Sequence, residues 1–179
     1  MNLFEKTFKH YWTVHKHRRE VRKLCFKCGL YKQGLTHDLS KYSPTEFING
    51  VKFFTGTKSP HHGEREAYGY SKAWLHHKGH NKHHVEYWQD IKEGTAVLIP
   101  MPTEYLVEMI CDRIAACKIY LGDKYTTKAP LEYYLSHRKE NVYHEETRLA
   151  LENYLNFLAY RGEEETLRAL KELVNYGRE

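Results

Sequence analysis

The sequence predicts an all-α fold, a single-domain helical bundle, on three observations. Apolar residues recur at helical steps along nearly the whole chain of 179 residues. The interruptions are those that bound helices, with proline where a segment begins and glycine where one ends. No stretch alternates convincingly as a strand would, and no internal repeat is present.

The elements follow in order. Residues 3–28 contain neither proline nor glycine, and Gly29 is a natural stop. A short segment, 34–41, comes next. Ser43-Pro44-Thr45-Glu46 reads as a capping box with proline in the first turn, opening a helix to about Thr55. Residues 56–64, GTKSPHHGE, read as a loop. A helix is expected from about 65 to 78, stopped by Gly79, and another from about 82 to 93, stopped by Gly94. Pro100 and Pro102 lead into a long helix over 103–121 that ends at Gly122. Helices near 130–139, 144–160 and 163–176 complete the chain, the last two forming a hairpin around Gly162. The whole of 1–179 is expected to form one domain, with the motif-bearing part in 10–120 and plain helices in 123–179.

Composition narrows the function classes. Hydrophobic residues are 41% and charged residues 28%, ordinary for a globular chain. The formal charge of +5 suits a phosphate-bearing ligand but is too mild to demonstrate nucleic-acid binding. No apolar run approaches the roughly 20 residues that span a bilayer, so no membrane role is expected. The charged N-terminus is not a signal peptide. Cys25 and Cys28 form a C-x-x-C, but Cys111 and Cys117 are not a second tight pair. A four-cysteine zinc site is therefore disfavoured, and small core residues in a reducing cytoplasm are expected. The abnormal feature is histidine: 13 in all, most of them in the first half of the chain.

Several of these histidines stand in telling places. His17 shares a stripe with Val14, Val21, Leu24 and Cys28, so it faces the core. His37-Asp38 can offer nitrogen and oxygen to one ion, although Asp38 could instead cap or pair with Lys41. Gly29 lies 12 residues after His17, and the returning segment is long enough to bring His37 back beside it. Asp112 sits among Met109, Ile110, Cys111, Ile114 and Ala115. A carboxylate there needs a cation, either a metal or a partner such as Arg113. His76, His77, His80, His83 and His84 offer helical spacings, but H-E-x-x-H is absent, which disfavours a zinc protease. Imidazole with carboxylate suits Fe, Mn, Zn, Co or Ni rather than Ca.

That order of ligands resembles the HD superfamily. His17 to Val21 is similar to the family's first histidine helix. His37-Asp38-Leu39-Ser40-Lys41 resembles its H-D-x-G-K, with serine in place of glycine, and Asp112 resembles its closing aspartate. More narrowly, Gly34 to Lys41, Trp74 to His77 and His83 to Trp88 resemble a small family of HD-like proteins. The resemblance implies an all-α fold and, most often, metal-dependent phosphohydrolase activity on nucleotides or other small phosphoesters; a minority are di-iron oxygenases. It implies that His17, His37, Asp38 and Asp112 hold a first metal, and that His77 with His83 or His84 holds a second.

The leading expectation is hydrolysis by metal-activated water. Asp38 could bridge two ions or orient the nucleophile, Lys41 could contact phosphate, and Glu46 could be an orienting or proton-transfer group. Arg113 is a weaker phosphate candidate. A third class is a non-catalytic binding module. Lys9, Lys16, Arg18, Arg19, Arg22, Lys23 and Lys27 crowd the first helix near Tyr11 and Trp12, a pattern that binds nucleic acid when it is not simply a solvated face.

Overall fold

In the computed structural model, which describes residues 1–138 and 142–177, the chain is organised around two long helices. Helix α1 (Leu3–Lys27) starts at a capping box in which the Asn2 side chain accepts from Glu5 N and Glu5 reaches back to the Asn2 amide. Its buried stripe is His10, Val14, His17, Val21, Leu24 and Cys25. The other long helix, α6 (Thr103–Leu121), buries Val107, Ile110, Cys111, Ile114 and Ala115 completely.

Between them come α2 (Tyr31–Thr36), a 3-10 turn at Leu39–Tyr42, α3 (Pro44–Lys52), α4 (Pro60–Tyr68) and α5 (Lys72–His80). A short antiparallel hairpin, β1 (Gln89–Lys92) and β2 (Thr95–Leu98), precedes α6. Three helices follow: α7 (Ala129–His137), α8 (Glu145–Arg161) and α9 (Glu163–Tyr176). Among the described residues no helix is long and apolar enough to cross a membrane.

The α1–α6 pair is a wall with two sides. One side packs against Leu151, Leu155, Leu158, Leu167 and Leu170 of α8 and α9, forming a dry apolar core with Tyr134 of α7. The other side carries polar residues and receives α2 and α3, with α5 packed on α3. The wall thus separates the ordinary hydrophobic core, which supplies the burial energy, from a polar pocket. Cys25, Cys28 and Cys111 are buried free thiols in this wall.

Three local expectations need correction. The helix expected over 82–93 does not form. Residues 85–87 make a single 3-10 turn and the hairpin follows. Glu93 and Gly94 both have positive φ, 51° and 76°, which suits a tight hairpin turn rather than a helix stop. The helix expected over 65–78 is broken at Gly69 (φ 78°), and α5 restarts at the Ser71 cap. The expected loop 56–64 ends early, because Pro60 opens α4. The helix expected to run to 139 is described as far as His137; residue 139 itself lies outside the described residues.

Candidate metal centre

The centre begins with a conformational exception. Asp38 has φ 52° and ψ 28°, left-handed geometry that is uncommon for a non-glycine residue. It sits between the end of α2 and the 3-10 turn, and this kink directs His37 and Asp38 inward together. Arg18 of α1 holds the kink: its Nε donates to His37 O at 2.7 Å and its Nη2 to Leu35 O at 3.2 Å. Gly34 lets α2 approach closely, since a Cβ there would lie 2.9 Å from Phe26 Cδ1 and 3.1 Å from Cys25 Cβ.

Asp38 is 1% exposed, and its two oxygens face different partners. Oδ2 lies 3.3 Å from His37 Nε2 and 3.7 Å from His17 Nε2. Oδ1 lies 3.4 Å from His77 Nε2 and 3.5 Å from His83 Nε2. Asp112 of α6 closes the first side, with Oδ1 2.9 Å from His17 Nε2 and 3.5 Å from His37 Nε2. His84 closes the second, its ring centroid 4.2 Å from that of His83. Groups with mutually close ligand atoms result: His17, His37, Asp38, Asp112, and Asp38, His77, His83, His84, with a third that joins His37 and His83 to Glu108.

A surrounding layer of carboxylates fixes the rings. Glu108 Oε1 accepts from His37 Nδ1 at 2.7 Å and lies 3.2 Å from His83 Nδ1. Glu46 Oε2 accepts from His77 Nδ1 at 2.7 Å, and its Oε1 from His76 Nδ1 at 2.6 Å. With Nδ1 of each ring so engaged, Nε2 of His37, His77 and His83 faces Asp38. Ser40, standing where the resembled motif has glycine, accepts from Asn81 Nδ2 at 2.7 Å and lies 3.4 Å from His77 Nδ1. The serine therefore adds a contact at the centre.

These atoms fit a cation. Nε2 of His37, His83 and His84 and Oδ1 of Asp38 are buried without a hydrogen-bond partner, while His17 Nε2 faces Asp112 Oδ1 at 2.9 Å and Asp38 Oδ2 faces Lys41 Nζ at 2.7 Å. Buried polar atoms in that state are rare and costly, and here they converge on shared points. The separations of 3.3–3.7 Å around Asp38 match the edge of a coordination polyhedron with bonds of about 2.1 Å. The buried clusters could therefore hold a metal ion. No cysteine joins such a group among the described residues.

Electrostatics agree with this reading. Burial by itself would raise the Asp38 pKa, but His37, Lys41 and His77 outweigh it and hold the carboxyl well below the usual range. Asp112 is likewise held down, by His17 and His37 against its burial. Burial pushes His17 down, and pushes His84 down strongly, favouring the neutral imidazole that binds metal. His37 is the exception: burial opposes its charging, yet Asp38, Asp112 and Glu108 prevail and raise it.

Every residue proposed from sequence as a ligand lies at this centre: His17, His37, Asp38, His77, His83, His84 and Asp112. The geometry brings His83 and His84 both inward and leaves His76 and His80 stacked on each other at 4.0 Å, nearer the surface. Lys41 Nζ reaches Asp38 Oδ2 at 2.7 Å, so the simple pairing considered for Asp38 also occurs. Arg113 does not pair with Asp112; its Nη2 donates to Tyr143 Oη at 3.0 Å. Glu108 and Asn81 were not singled out from sequence, and Arg18 and Ser40 were singled out without the contacts they make at this centre. For Glu108 a signal existed, because it precedes Asp112 by one helical turn within an apolar stretch.

A cavity of roughly 200 Å³ opens onto the centre, lined by His17, Asp38, Lys41, His61, Trp74, His77 and Asp112 among others. A family described as a family of unknown function, DUF5662, matches residues 6–157. No curated protein and no solved structure matches.

Proposed function

The chain belongs to that family, DUF5662, and from its site we propose that it is a metal-dependent phosphohydrolase of the HD type acting on a small phosphoester. One observation carries the reading: a single buried carboxylate, Asp38, presents its two oxygens to two histidine groups at the floor of a cavity that also holds a lysine. Bridging carboxylates of this kind serve two-ion phosphoester chemistry.

His17, His37, Asp38 and Asp112 would hold the first ion, and His77, His83 and His84 the second, with Asp38 shared. The donor set suits Fe, Mn, Zn, Co or Ni. Ions bound there supply a water nucleophile at neutral pH and Lewis acidity toward a phosphoryl oxygen. The protein does the rest. Lys41, at the cavity wall, offers a compact positive charge to the phosphoryl group. Glu46 has both oxygens engaged by imidazoles, so it acts by orienting His77. Glu108 does the same for His37 and His83. The cavity is smaller than the ~300–1,000 Å³ of drug-sized sites, so it suits a small phosphoester.

Elemental analysis of the purified protein beside Asp38→Ala, followed by a phosphoester panel, tests this. One or two equivalents of transition metal, lost in the variant together with phosphate release, are expected. Metal-free protein that stays inactive after soaking with Mn or Zn would overturn the proposal in favour of a non-catalytic binding module. The second group's three histidines with a shared aspartate also suit an HD-type di-iron oxygenase. Iron near two per chain, with substrate-dependent oxygen consumption and no phosphate release, would select that reading.

A further inference from the structure

A second, larger concavity adjoins the cavity. This groove has a volume of about 810 Å³ and shares Thr13, Phe54, Gly56 and Ile119 with the cavity as a common wall. Its outer side is the first half of α1, which contributes Phe8, Lys9, Trp12 and Lys16. We propose that this groove is a track for single-stranded nucleic acid, placing one phosphodiester at the mouth of the cavity. The link to chemistry rests on the hydrolase reading; the binding itself does not.

Three observations support the proposal. Phe8 and Trp12 are 57% and 40% exposed and pack edge-to-face against each other, their centroids 6.1 Å apart, so a paired aromatic surface remains in water on a helix whose other face is well packed. Such faces are stacking platforms for unpaired bases, tolerant of sequence. The groove lining carries three lysines and no carboxylate. Lys118 is committed to Glu20 and Glu163, whereas Lys9 and Lys16 have no ion pair among the described residues, leaving two cations for a phosphate backbone. Finally, the groove adjoins the cavity along the residues they share, and the cavity is smaller than sites that take drug-sized ligands whole. A chain whose bases stack outside while one phosphate enters satisfies both volumes. A duplex does not, because its bases already stack on each other.

The experiment uses the full-length protein as purified and a fluorescein-labelled 12-nucleotide oligo-dT with cleavage-resistant phosphorothioate linkages. Binding is followed by anisotropy between 50 and 200 mM salt. Trp12→Ala should weaken binding by about 5- to 150-fold, the loss of one stacked base. Lys9→Ala with Lys16→Ala should flatten the log–log salt slope by about 1.4, two phosphate contacts on a single strand. Trp12→Ala should leave turnover of p-nitrophenyl phosphate unchanged, which shows that the variant is folded. Absence of oligo-dT binding, or binding indifferent to these substitutions, overturns the track. So does Trp12-dependent capture of phosphatidylserine vesicles, or Trp12-dependent dimerisation, without oligonucleotide binding. If the oligonucleotide binds as expected and no phosphoester is cleaved, the track stands and the hydrolase reading falls. If small phosphoesters turn over and the oligonucleotide does not bind, only the track falls.

Discussion

Removing the Glu108 carboxylate should weaken both metal positions at once, and this is the sharpest consequence of the geometry. Its Oε1 accepts from His37 Nδ1 at 2.7 Å and lies 3.2 Å from His83 Nδ1. His37 belongs to the first ligand group and His83 to the second. In Glu108→Ala each ring loses the partner that sets its tautomer and its angle. Loss of such an orienting partner typically costs 10- to 100-fold in metal affinity, about 1.4–2.7 kcal/mol per ion. Glu46→Ala should behave differently, because Glu46 orients His77 alone among the proposed ligands. Only the second position should weaken there. Glu108→Gln keeps an acceptor oxygen while losing the charge and should fall between wild type and alanine. Competition of metal-loaded protein against a chromophoric chelator measures both affinities, and a thermal melt of each variant confirms folding. Glu108→Ala that leaves both affinities intact, or lowers only one, would refute the reasoning, as would equal losses in both variants.

The remaining predictions concern protons and packing. His37 is raised in the metal-free protein by Asp38, Asp112 and Glu108 against its burial, so metal loading competes with a proton on its ring. Affinity should therefore rise with pH, and calorimetry in two buffers of different ionisation enthalpy should detect proton release on metal binding. His10 is pushed down to about 4 by burial and by Lys41. The unfolded chain then binds more protons than the native state between about pH 6.5 and 4, so stability falls as pH drops through that window. The loss approaches about 3 kcal/mol, and denaturant titrations of metal-free wild type and His10→Leu across pH 7 to 4.5 should show a shallower slope for the variant. At Gly50 a Cβ would meet His10 Nε2, wedged against Phe47 and Phe54. Gly50→Ala should cost about 1–3 kcal/mol in a thermal or urea melt, and adding His10→Ala should recover part of it. Arg18→Met removes the donors to His37 O and Leu35 O; about 1–3 kcal/mol of stability should be lost, with metal affinity falling alongside.

Local chemistry alone determined much of this protein. The long helix Thr103–Leu121 and the hairpin of Glu145–Arg161 with Glu163–Tyr176 lie where proline, glycine and apolar period put them, because caps and amphipathic stripes act within a few residues. The inward face of His17 was legible for the same reason. Two glycines did not act where the apolar period placed them: Gly94, with Glu93, takes positive φ in a hairpin turn, and Gly69 takes positive φ and breaks a helix.

Tertiary structure alone decided the centre. The spacing of His76, His77, His80, His83 and His84 allows several inward pairs. The break in helical structure after His80 is what lets His83 and His84 both turn inward while His76 and His80 stack outside. The left-handed turn at Asp38, clamped by Arg18 from another helix, points one carboxylate at two histidine groups. Glu108 became an orienting residue only because α6 lies against the His37 kink. A sequence shows which side chains can ligate an ion. Whether their lone pairs converge depends on helix packing, which brings together residues as far apart as His17 and Asp112.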